Sequence, residues 1–455
     1  MYKEPKKHPE KILPAILFLS TFLRVIAGIA LGNQVEALPG TFDQVSYHAL
    51  ALRVLNGYGF TFDKNWWPMT AANSPTAHWS FLYTIYLVGV YKLSATPVAA
   101  RVIQGLIVGF LHPYLVYLIG RRVFSPMVGV IAAGVTALYS YFIYYGGTLM
   151  TEPFYITAIL GVLYLAIRLV DAEDSKSELW LAGGLGLILG ITLLLRQLFL
   201  LFIPFLFLWL WWARRKKKFF ANLWISALSI GIMVLMILPV TAYNYSRFQR
   251  FVLLNTNAGY AFFLANHPIY GTDFIPAREM EDYQSLVPSE LQSLDEAALD
   301  QALLQRGLQF VQDDPARYFL LSLDRIPEYF RFWPSSDSGM ISNIARVSSF
   351  GLAFPWMIIG LVIWFRSRWE SKSSEFFQDP GTLLLLFCMV YTGIHIVSWA
   401  LVRYRLPVDA VLILFTALAL QTVYEWFVAK RYTLNVIRTG VTQYSESQEQ
   451  FSEIL

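Results

Sequence analysis

The sequence predicts an all-α polytopic membrane protein with about ten transmembrane helices, and two observations support that prediction. The first is composition: 56% of the 455 residues are hydrophobic and 15% are charged, whereas soluble domains have roughly 45–50% apolar and about 25% charged residues. The second is that long apolar runs recur along the chain. This composition excludes a disordered protein, and the net charge of +4 gives no indication of nucleic-acid binding.

A spanning helix needs about 20 mostly apolar residues. The candidate spans are the apolar runs 12–31, 98–119, 127–146, 153–170, 180–196, 198–213, 221–241, 345–366, 381–401 and 407–427. Lysines precede the first run and no small-residue cleavage signature follows it, so we interpret it as a retained signal anchor. The shorter run 79–93 has the length of an interfacial segment and predicts a half-embedded outer helix, although Lys92 at its end argues for a crossing.

Orientation follows from the basic loops, because short loops rich in Lys and Arg stay in the cytoplasm. The N-terminus and the run 214–218 are the most basic segments. Threading the spans through them places both termini in the cytoplasm and leaves segments 32–97 and 242–344 outside. On this threading only Lys64 and Lys92 among the lysines lie outside, which agrees with the predicted topology.

The same threading predicts the domain organisation. A membrane module that includes the first outer loop covers 1–241, and an extracytoplasmic segment covers 242–344. The C-terminal spans cover 345–428, and a cytoplasmic tail covers 429–455. Apolar spacings of three and four near 289–311 predict that the small extracytoplasmic segment is mostly helical.

Several arginines fall at the outer ends of predicted spans, where a charged group is costly unless it lines a site. They are Arg101, Arg196, Arg403 and Arg405. One interpretation is that each side chain extends to the membrane interface. The other is phosphate binding, because the planar guanidinium group suits phosphate oxygens. A cluster of them would suit a lipid whose phosphate lies in the outer leaflet.

Two carboxylates are predicted on the same outer face. Asp43 begins a helical pattern after the first span, and Glu152 precedes Pro153 at the start of another span. Each has a structural interpretation, Asp43 as an N-cap and Glu152 as a partner of the helix dipole. Together they could position and deprotonate an acceptor hydroxyl or amine. Gln44 follows Asp43, so there is no Asp-x-Asp pair to support a divalent metal, and we predict no metal and no cofactor.

Further polar residues in the outer segments are candidates for the donor or acceptor pocket. Tyr47 and His48 lie on the amphipathic pattern that Asp43 begins, which is typical of a helix on the membrane surface. His78 precedes the run 79–93, and Asn266 and His267 lie in the second outer segment. A lone histidine in a loop is more often structural than a ligand. The single cysteine, Cys388, excludes an intramolecular disulfide.

The order of these motifs resembles the GT-C superfamily of polytopic glycosyltransferases. The pattern DxxxYxxxA, from Asp43 to Ala51, is followed by an Asn-Gly-x-Gly turn. Protein O-mannosyltransferases and lipid A aminoarabinose transferases are the groups it resembles most. Later stretches that are similar to landmarks of the superfamily read RRVFSPMVGVIAA, GGTLMTEPF, LLRQLFLLFIP, YNYSRF and RYRLPVDA.

The resemblance implies a GT-C-like fold and a catalytic module in 1–241. It implies transfer of a sugar, with inversion and on the extracytoplasmic face, from a polyprenyl-phosphate-linked donor to a glycan, lipid or protein acceptor. In that reading Asp43 is the catalytic base or orients the acceptor, and Glu152 is the second acidic residue. Arg403 and Arg405 lie near the donor phosphate. Membrane lipids are the remaining expected partners.

The sequence departs from the superfamily pattern at two places. Many members carry Lys-Pro-Pro before the run 79–93, with a lysine that serves the donor phosphate, and here the stretch reads NSPTAHW. Pro75 remains but the lysine is absent, so His78 or an arginine would take its place. Gln44 replaces a second acid. The alternative function is a multi-pass transporter or flippase of a lipid-linked or anionic substrate, and a third is a polymerase or ligase of lipid-linked glycans.

Overall fold

The protein is built from α-helices joined by short turns. The structure is a computed structural model that describes residues 9–38, 41–68, 70–275, 284–334, 336, 339–369 and 376–452, and of residues 284, 341, 429 and 431–452 only the main chain. Within these ranges there are isolated bridges but no β-sheet. The helices are α1 (Leu13–Leu31), α2 (Asp43–Leu55), α3 (Phe81–Ser94), α4 (Pro97–Val123), α5 (Pro126–Leu138), α6 (Ser140–Gly147), α7 (Glu152–Val170), α8 (Ser175–Leu195), α9 (Ile203–Ala213), α10 (Phe219–Phe248), α11 (Ala258–Ala265), α12 (Glu296–Asp313), α13 (Pro315–Tyr329), α14 (Met340–Arg346), α15 (Leu352–Trp369), α16 (Pro380–Val397) and α17 (Leu406–Ser452).

Among the described residues, eight helices are long and apolar enough to cross a membrane, and α5 with α6, which meet at 56°, make a ninth if they count as one span. They account for nine of the ten predicted runs, so the prediction of an all-α polytopic membrane protein is confirmed. The exception is 198–213, where the α-helix α9 has only 11 residues and follows the 3-10 turn Gln197–Leu201. Pro204 lies in the first turn of α9 and cannot donate to a helix that continues from upstream, so the α-helix begins there.

This segment, the 3-10 turn Gln197–Leu201 followed by α9, nevertheless runs along the whole of α7, as the contacts at its two ends show. Arg196, just before it, lies 2.6 Å from Glu152 at the start of α7. Arg214, just after it, donates a hydrogen bond to the main-chain oxygen of Leu169 near the end of α7. The 19 residues of α7 rise about 28 Å, and a 3-10 turn followed by α9 covers nearly that distance. We call the two ends of the bundle the Glu152 end and the Arg214 end.

Helix α3 has both ends at the Glu152 end of the bundle. Ser80, its N-cap, donates to the main-chain oxygen of Leu194 at the end of α8, at 2.9 Å. Four residues after α3 ends, the Val98 N–H donates to Asn33, just past α1, at 3.1 Å. These contacts favour the predicted half-embedded helix over a crossing.

Close helix packing at glycines brings both α4, which contains Gly109, and the end of α6, at Gly147, against α1. A Cβ atom on Gly109 would lie 2.6 Å from Thr21 Cα, and one on Gly147 would lie 2.8 Å from the main chain of Ala27. Small residues permit this approach between helices in membranes. The loop that follows Gly147 and leads to Glu152 is therefore held beside the end of α1, from which the chain continues to α2.

A helical layer covers part of the Glu152 end, as predicted for the second outer segment. Glu296, the first residue of α12, accepts hydrogen bonds from Thr70 Oγ1 at 2.6 Å and from the Ala77 N–H at 2.8 Å. Asp300, one turn later, accepts from the Gly259 N–H at 2.8 Å. Glu296 thus joins the two outer segments, and Asp300 links α12 to α11 within the second one.

Candidate functional site

Asp43 lies at the start of α2, with its side chain 18% exposed. It is the first helical residue, and the N-cap position is Phe42, which makes no side-chain cap. The Asp43 N–H donates to Thr41 Oγ1 at 3.2 Å. The capping interpretation of Asp43 is therefore wrong, because its carboxylate is engaged by charged groups from elsewhere in the chain.

Glu152 lies at the start of α7, one residue before the proline that begins the span. Its side chain is only 2% exposed. A buried carboxylate is costly unless it is paired. Its position in the first turn of a helix supplies part of the stabilisation, and two arginines supply the rest.

Four charged side chains from distant parts of the chain meet at this point. Arg403 Nη1 donates to Asp43 Oδ2 at 2.6 Å, across 360 residues of sequence, and lies 3.8 Å from Glu152 Oε1. Arg196 Nη2 lies 2.6 Å from the same Glu152 oxygen, although the angles fall outside those of a hydrogen bond. Two carboxylates and two guanidinium groups form one cluster, which we call the site cluster.

The electrostatics of the site cluster keep Asp43 ionised. Burial by itself would raise the pKa of the Asp43 carboxyl. The charges of Arg403 and Arg196, with the hydrogen bond from Thr41, more than offset that effect and hold the pKa below its ordinary value. Asp43 is therefore a carboxylate at neutral pH and is available to accept a hydrogen bond or a proton.

Gln44, one of the two departures from the expected superfamily pattern, has a structural position. Its side-chain amide donates to the main-chain oxygen of Glu36, and its Oε1 accepts from the Leu149 N–H at 3.3 Å. It thereby ties the loop before α2 to the loop before α7. This link holds Asp43 and Glu152 in register.

A cavity of about 720 Å³ opens next to the site cluster, and Arg403 forms part of its wall. Much of its lining is apolar or aromatic and comes from α6 and α14, together with the turn before α17. Its apolar and aromatic lining includes Ala27, Tyr141, Tyr144, Tyr145, Ile344 and Val402. Its polar side chains include Glu328 and Arg346. The cavity thus combines an apolar body with a cationic group at the carboxylates.

The two other arginines predicted at the donor phosphate lie in different surroundings. Arg405 is fully buried and forms an ion pair with Asp409 at 2.9 Å, and its guanidinium carbon lies 3.5 Å from the centre of the Phe350 ring. Arg101 donates to the main-chain oxygens of Gly147 and Gln34, each at 2.9 Å. Neither belongs to the site cluster.

Of the five residues predicted in the donor or acceptor pocket, the first two, Tyr47 and His48, lie in α2. Tyr47 lies near Asp43, and its hydroxyl accepts from the Ser80 N–H at 3.3 Å. His48 contacts the Tyr91 hydroxyl at 2.9 Å. Of these two, only Tyr47 is beside the site cluster.

The remaining three lie in the packing of the outer segments. His78 is buried and contacts the main-chain oxygen of Thr256 at 3.2 Å. Asn266 Oδ1 accepts from Arg325 at 2.9 Å. His267 Nδ1 accepts from the Ile269 N–H at 3.2 Å. Their contacts hold loops together, and none of them is among the residues of the site cluster.

Two residues that complete the site were missed in the sequence. Thr151 Oγ1 accepts from Arg196 Nε at 2.9 Å. The ring of Tyr404 lies 5.1 Å from the Arg403 guanidinium carbon and 5.6 Å from that of Arg196, within the range of a cation–π contact. Each is adjacent in sequence to a predicted site residue, and that adjacency was the available signal.

The region that carries Glu152 and Arg196 matches a known protein family. Residues 75–243, less than half of the chain, match the sequence model of the dolichyl-phosphate-mannose-protein mannosyltransferase family. No curated protein matches the chain at significant sequence similarity.

Solved structures show which fold this is. The archaeal oligosaccharyltransferase AglB from Archaeoglobus fulgidus, in complex with an inhibitory peptide and a dolichol-phosphate, matches 95% of this chain with a TM-score of 0.59 and 16% identity. Its apo form matches with a TM-score of 0.60 and 17% identity. ArnT from Cupriavidus metallidurans, bound to undecaprenyl phosphate, is a more distant match that covers 90% of this chain and 78% of its own, with a TM-score of 0.41 and 10% identity.

The chain spans about half the length of AglB, 52% in both structures. The fold is the GT-C-type membrane fold, and the resemblance expected from the sequence is confirmed by that fold together with the family match. The prediction of a multi-pass membrane protein with a GT-C-like fold is confirmed at this level.

Proposed function

We propose that the protein transfers a sugar from a polyprenyl-phosphate-linked donor to an acceptor on the extracytoplasmic side of the membrane. The observation that supports this most is the site cluster beside an apolar cavity. A polyprenyl phosphate has an apolar chain and an anionic head, and the cavity and its arginine have the same two characters. The basic loops near the Arg214 end support the assignment of the Glu152 end to the extracytoplasmic side.

The acceptor is activated by Asp43 in this proposal. Asp43 accepts the proton of an acceptor hydroxyl or amine while the acceptor atom forms a bond to the anomeric carbon. The bond from that carbon to the phosphate oxygen breaks, and the oxygen keeps the electron pair. One displacement of this kind inverts the anomeric configuration. General base catalysis contributes typically 10²–10⁴ in rate.

The leaving phosphate is stabilised by arginines that are in place before the reaction. Arg403 lines the cavity, and Arg196 lies behind it against Glu152. Guanidinium groups bind phosphate oxygens with charge-assisted hydrogen bonds. A preorganised donor of this kind is worth on the order of 10²–10³ in rate. Glu152 keeps the two arginines oriented, because it contacts both.

The test is sugar transfer by the full-length protein in proteoliposomes. We would supply undecaprenyl-phosphate [¹⁴C]mannose as the donor probe and envelope extract as the source of acceptors. The expected result is label on an acceptor together with release of undecaprenyl phosphate. Movement of intact donor across the membrane without bond cleavage would support the flippase instead.

The matched variants are Asp43→Asn and Asp63→Asn, since Asp63 is an exposed carboxylate in the same outer segment. Asp43→Asn should lower transfer by about 10²–10⁴, while Asp63→Asn should leave it unchanged. Both variants should unfold at the wild-type temperature to within a few degrees. Wild-type transfer by Asp43→Asn would refute the role of this residue.

A further inference from the structure

The two arginines of the site cluster are held unequally. Arg196 is fixed from two directions, because Nη2 contacts Glu152 and Nε donates to Thr151 at 2.9 Å. Arg403 holds Asp43 through Nη1 alone. Of the two guanidinium groups, that of Arg403 is therefore the one that can turn away with the loss of one close ion pair.

Arg403 also has N–H donors that its present contacts leave weakly used or unused. Its Nε is buried and makes no hydrogen bond to the described residues. Its Nη2 donates only to the neighbouring Tyr404 hydroxyl, at 3.3 Å. A buried donor without an acceptor is costly. Arg403 lines the cavity, so an anionic group that entered it would meet this guanidinium group.

We infer that Arg403 is a counterion that changes partner during the reaction. In the empty site it holds Asp43, and when the donor binds it turns to the donor phosphate and leaves Asp43 free for the acceptor. The inference rests on the proposed function and adds an order to it: the donor binds first, and the acceptor is activated second.

Charge balance gives the physical reason. Two carboxylates and two guanidinium groups sum to zero in the empty site. The phosphodiester of a polyprenyl-phosphate sugar adds one negative charge, and arginine can engage its oxygens with paired, charge-assisted hydrogen bonds. A carboxylate that loses its counterion gains affinity for a proton, so Asp43 becomes a stronger base only once the donor is present.

The same exchange explains how the site returns to its starting state. Transfer leaves polyprenyl phosphate as a monoester, which carries more negative charge than the diester near neutral pH. Arg403 stays with that product until the lipid departs. Asp43 then releases to water the proton that it took from the acceptor and recovers its ion pair, so an acceptor that arrives at an empty site meets a carboxylate neutralised by Arg403. Activation of water without a donor is thereby suppressed.

The test follows the protonation of Asp43 directly, without sugar transfer. Infrared spectra of the full-length protein in nanodiscs, recorded from about pH 2 to pH 8 so that the range includes a pKa below the ordinary value of about 3.9, give the midpoint of the Asp43 carboxyl band, which is assigned by its absence in Asp43→Asn. The groups that face Asp43 and titrate or carry charge are Arg403, Arg196, Glu152, Tyr47 and His78.

Undecaprenyl phosphate is the probe, and undecaprenol, which lacks the phosphate, is the matched control. We expect undecaprenyl phosphate to raise the midpoint by at least one pH unit, a tenfold change in the dissociation constant, and undecaprenol to leave it in place. In Arg403→Gln the midpoint should be raised already, and undecaprenyl phosphate should add little.

Each other outcome overturns the inference in an identifiable way. If undecaprenyl phosphate binds and the midpoint stays in place, the exchange does not occur, and the proposed function is untouched. If it shifts the midpoint equally in wild type and in Arg403→Gln, the phosphate acts on Asp43 by its own charge. If thermal stabilisation shows that undecaprenyl phosphate does not bind at all, the proposed function fails as well.

Discussion

Two arginines of one short turn, Arg403 and Arg405, sit in opposite kinds of environment. The side chain of Arg403 is 12% exposed and reaches Asp43, which lies at the far end of the sequence. The side chain of Arg405 and its partner Asp409 are both 0% exposed. Tyr139 donates to the other oxygen of Asp409 at 2.7 Å. One pair lies open at a cavity, and the other is closed off within the bundle.

The comparison teaches that the partners, and not the residue type, decide what an arginine does here. Arg405 donates to main-chain oxygen and to a carboxylate one helical turn away, so its interactions are local to the core. Arg403 meets two carboxylates from other helices at the wall of a cavity. A charge that is paired inside the core stabilises the fold, and one shared among carboxylates at a cavity can be redirected.

The largest effect on stability is expected at the closed pair. Arg405→Met leaves Asp409 as a buried carboxylate without its cation, which typically costs 3–5 kcal/mol. We expect a large fall in unfolding temperature in detergent, or loss of the folded protein from the membrane fraction. The double variant Arg405→Met/Asp409→Leu should recover most of the loss, because apolar residues can replace a buried pair. No recovery would show that the pair itself is required.

The open pair should respond in the opposite way. Arg403→Gln is expected to lower sugar transfer by about 10²–10³, because it removes a preorganised donor at the leaving phosphate. The unfolding temperature should change little, since the side chain reaches a cavity and is not closed in the core. Transfer assays and thermal unfolding on the same preparation check both statements. A variant that loses stability and activity in parallel would erase the contrast with Arg405.

A smaller effect is expected at Arg101, which the sequence grouped with the phosphate-binding arginines. It donates to the main-chain oxygen of Gln34, just after α1, and to that of Gly147, at the end of α6. Arg101→Gln should cost about 1–3 kcal/mol of stability through unsatisfied main-chain oxygens. The half-saturating concentration of donor should stay within about twofold of wild type. A selective rise in that concentration would return Arg101 to the phosphate site.

Much of the fold was readable from the sequence, because apolar runs and basic loops are local signals. The same holds for Asp43 and Glu152, whose positions at span ends on one face predicted that they would meet. The difference between Arg403 and Arg405 was not readable. It depends on the direction of each side chain around a turn and on carboxylates that are hundreds of residues away or inside the next helix.

Asp300 extends the comparison to a half-buried carboxylate that is held by main-chain N–H groups, with no cation among its described contacts. It accepts hydrogen bonds from Gly259 and Tyr260. Burial raises its pKa to about 6, even though these two hydrogen bonds oppose the shift. Asp43, with arginines beside it, has its pKa moved in the other direction. The presence of a cation decides the sign in the two cases.

The last prediction uses this difference. Because the pKa of Asp300 is higher in the folded state than the unfolded value of about 3.9, the folded protein binds more protons between pH 4 and pH 6. Stability should therefore fall as the pH rises through that window and level off above it. Asp300→Asn can keep both hydrogen bonds through its side-chain oxygen and removes the charge. We expect it to be more stable than wild type at pH 7, by about 1–3 kcal/mol, and equal at pH 4.

Unfolding temperatures measured from pH 4 to pH 7 test this, with Glu290→Gln, at an exposed carboxylate of the same segment, as the control. The contrary outcome is a difference in unfolding temperature between Asp300→Asn and wild type that stays the same at every pH. It would mean that the carboxylate is ionised throughout this pH range. The two main-chain N–H donors would then stabilise its charge as well as an arginine would.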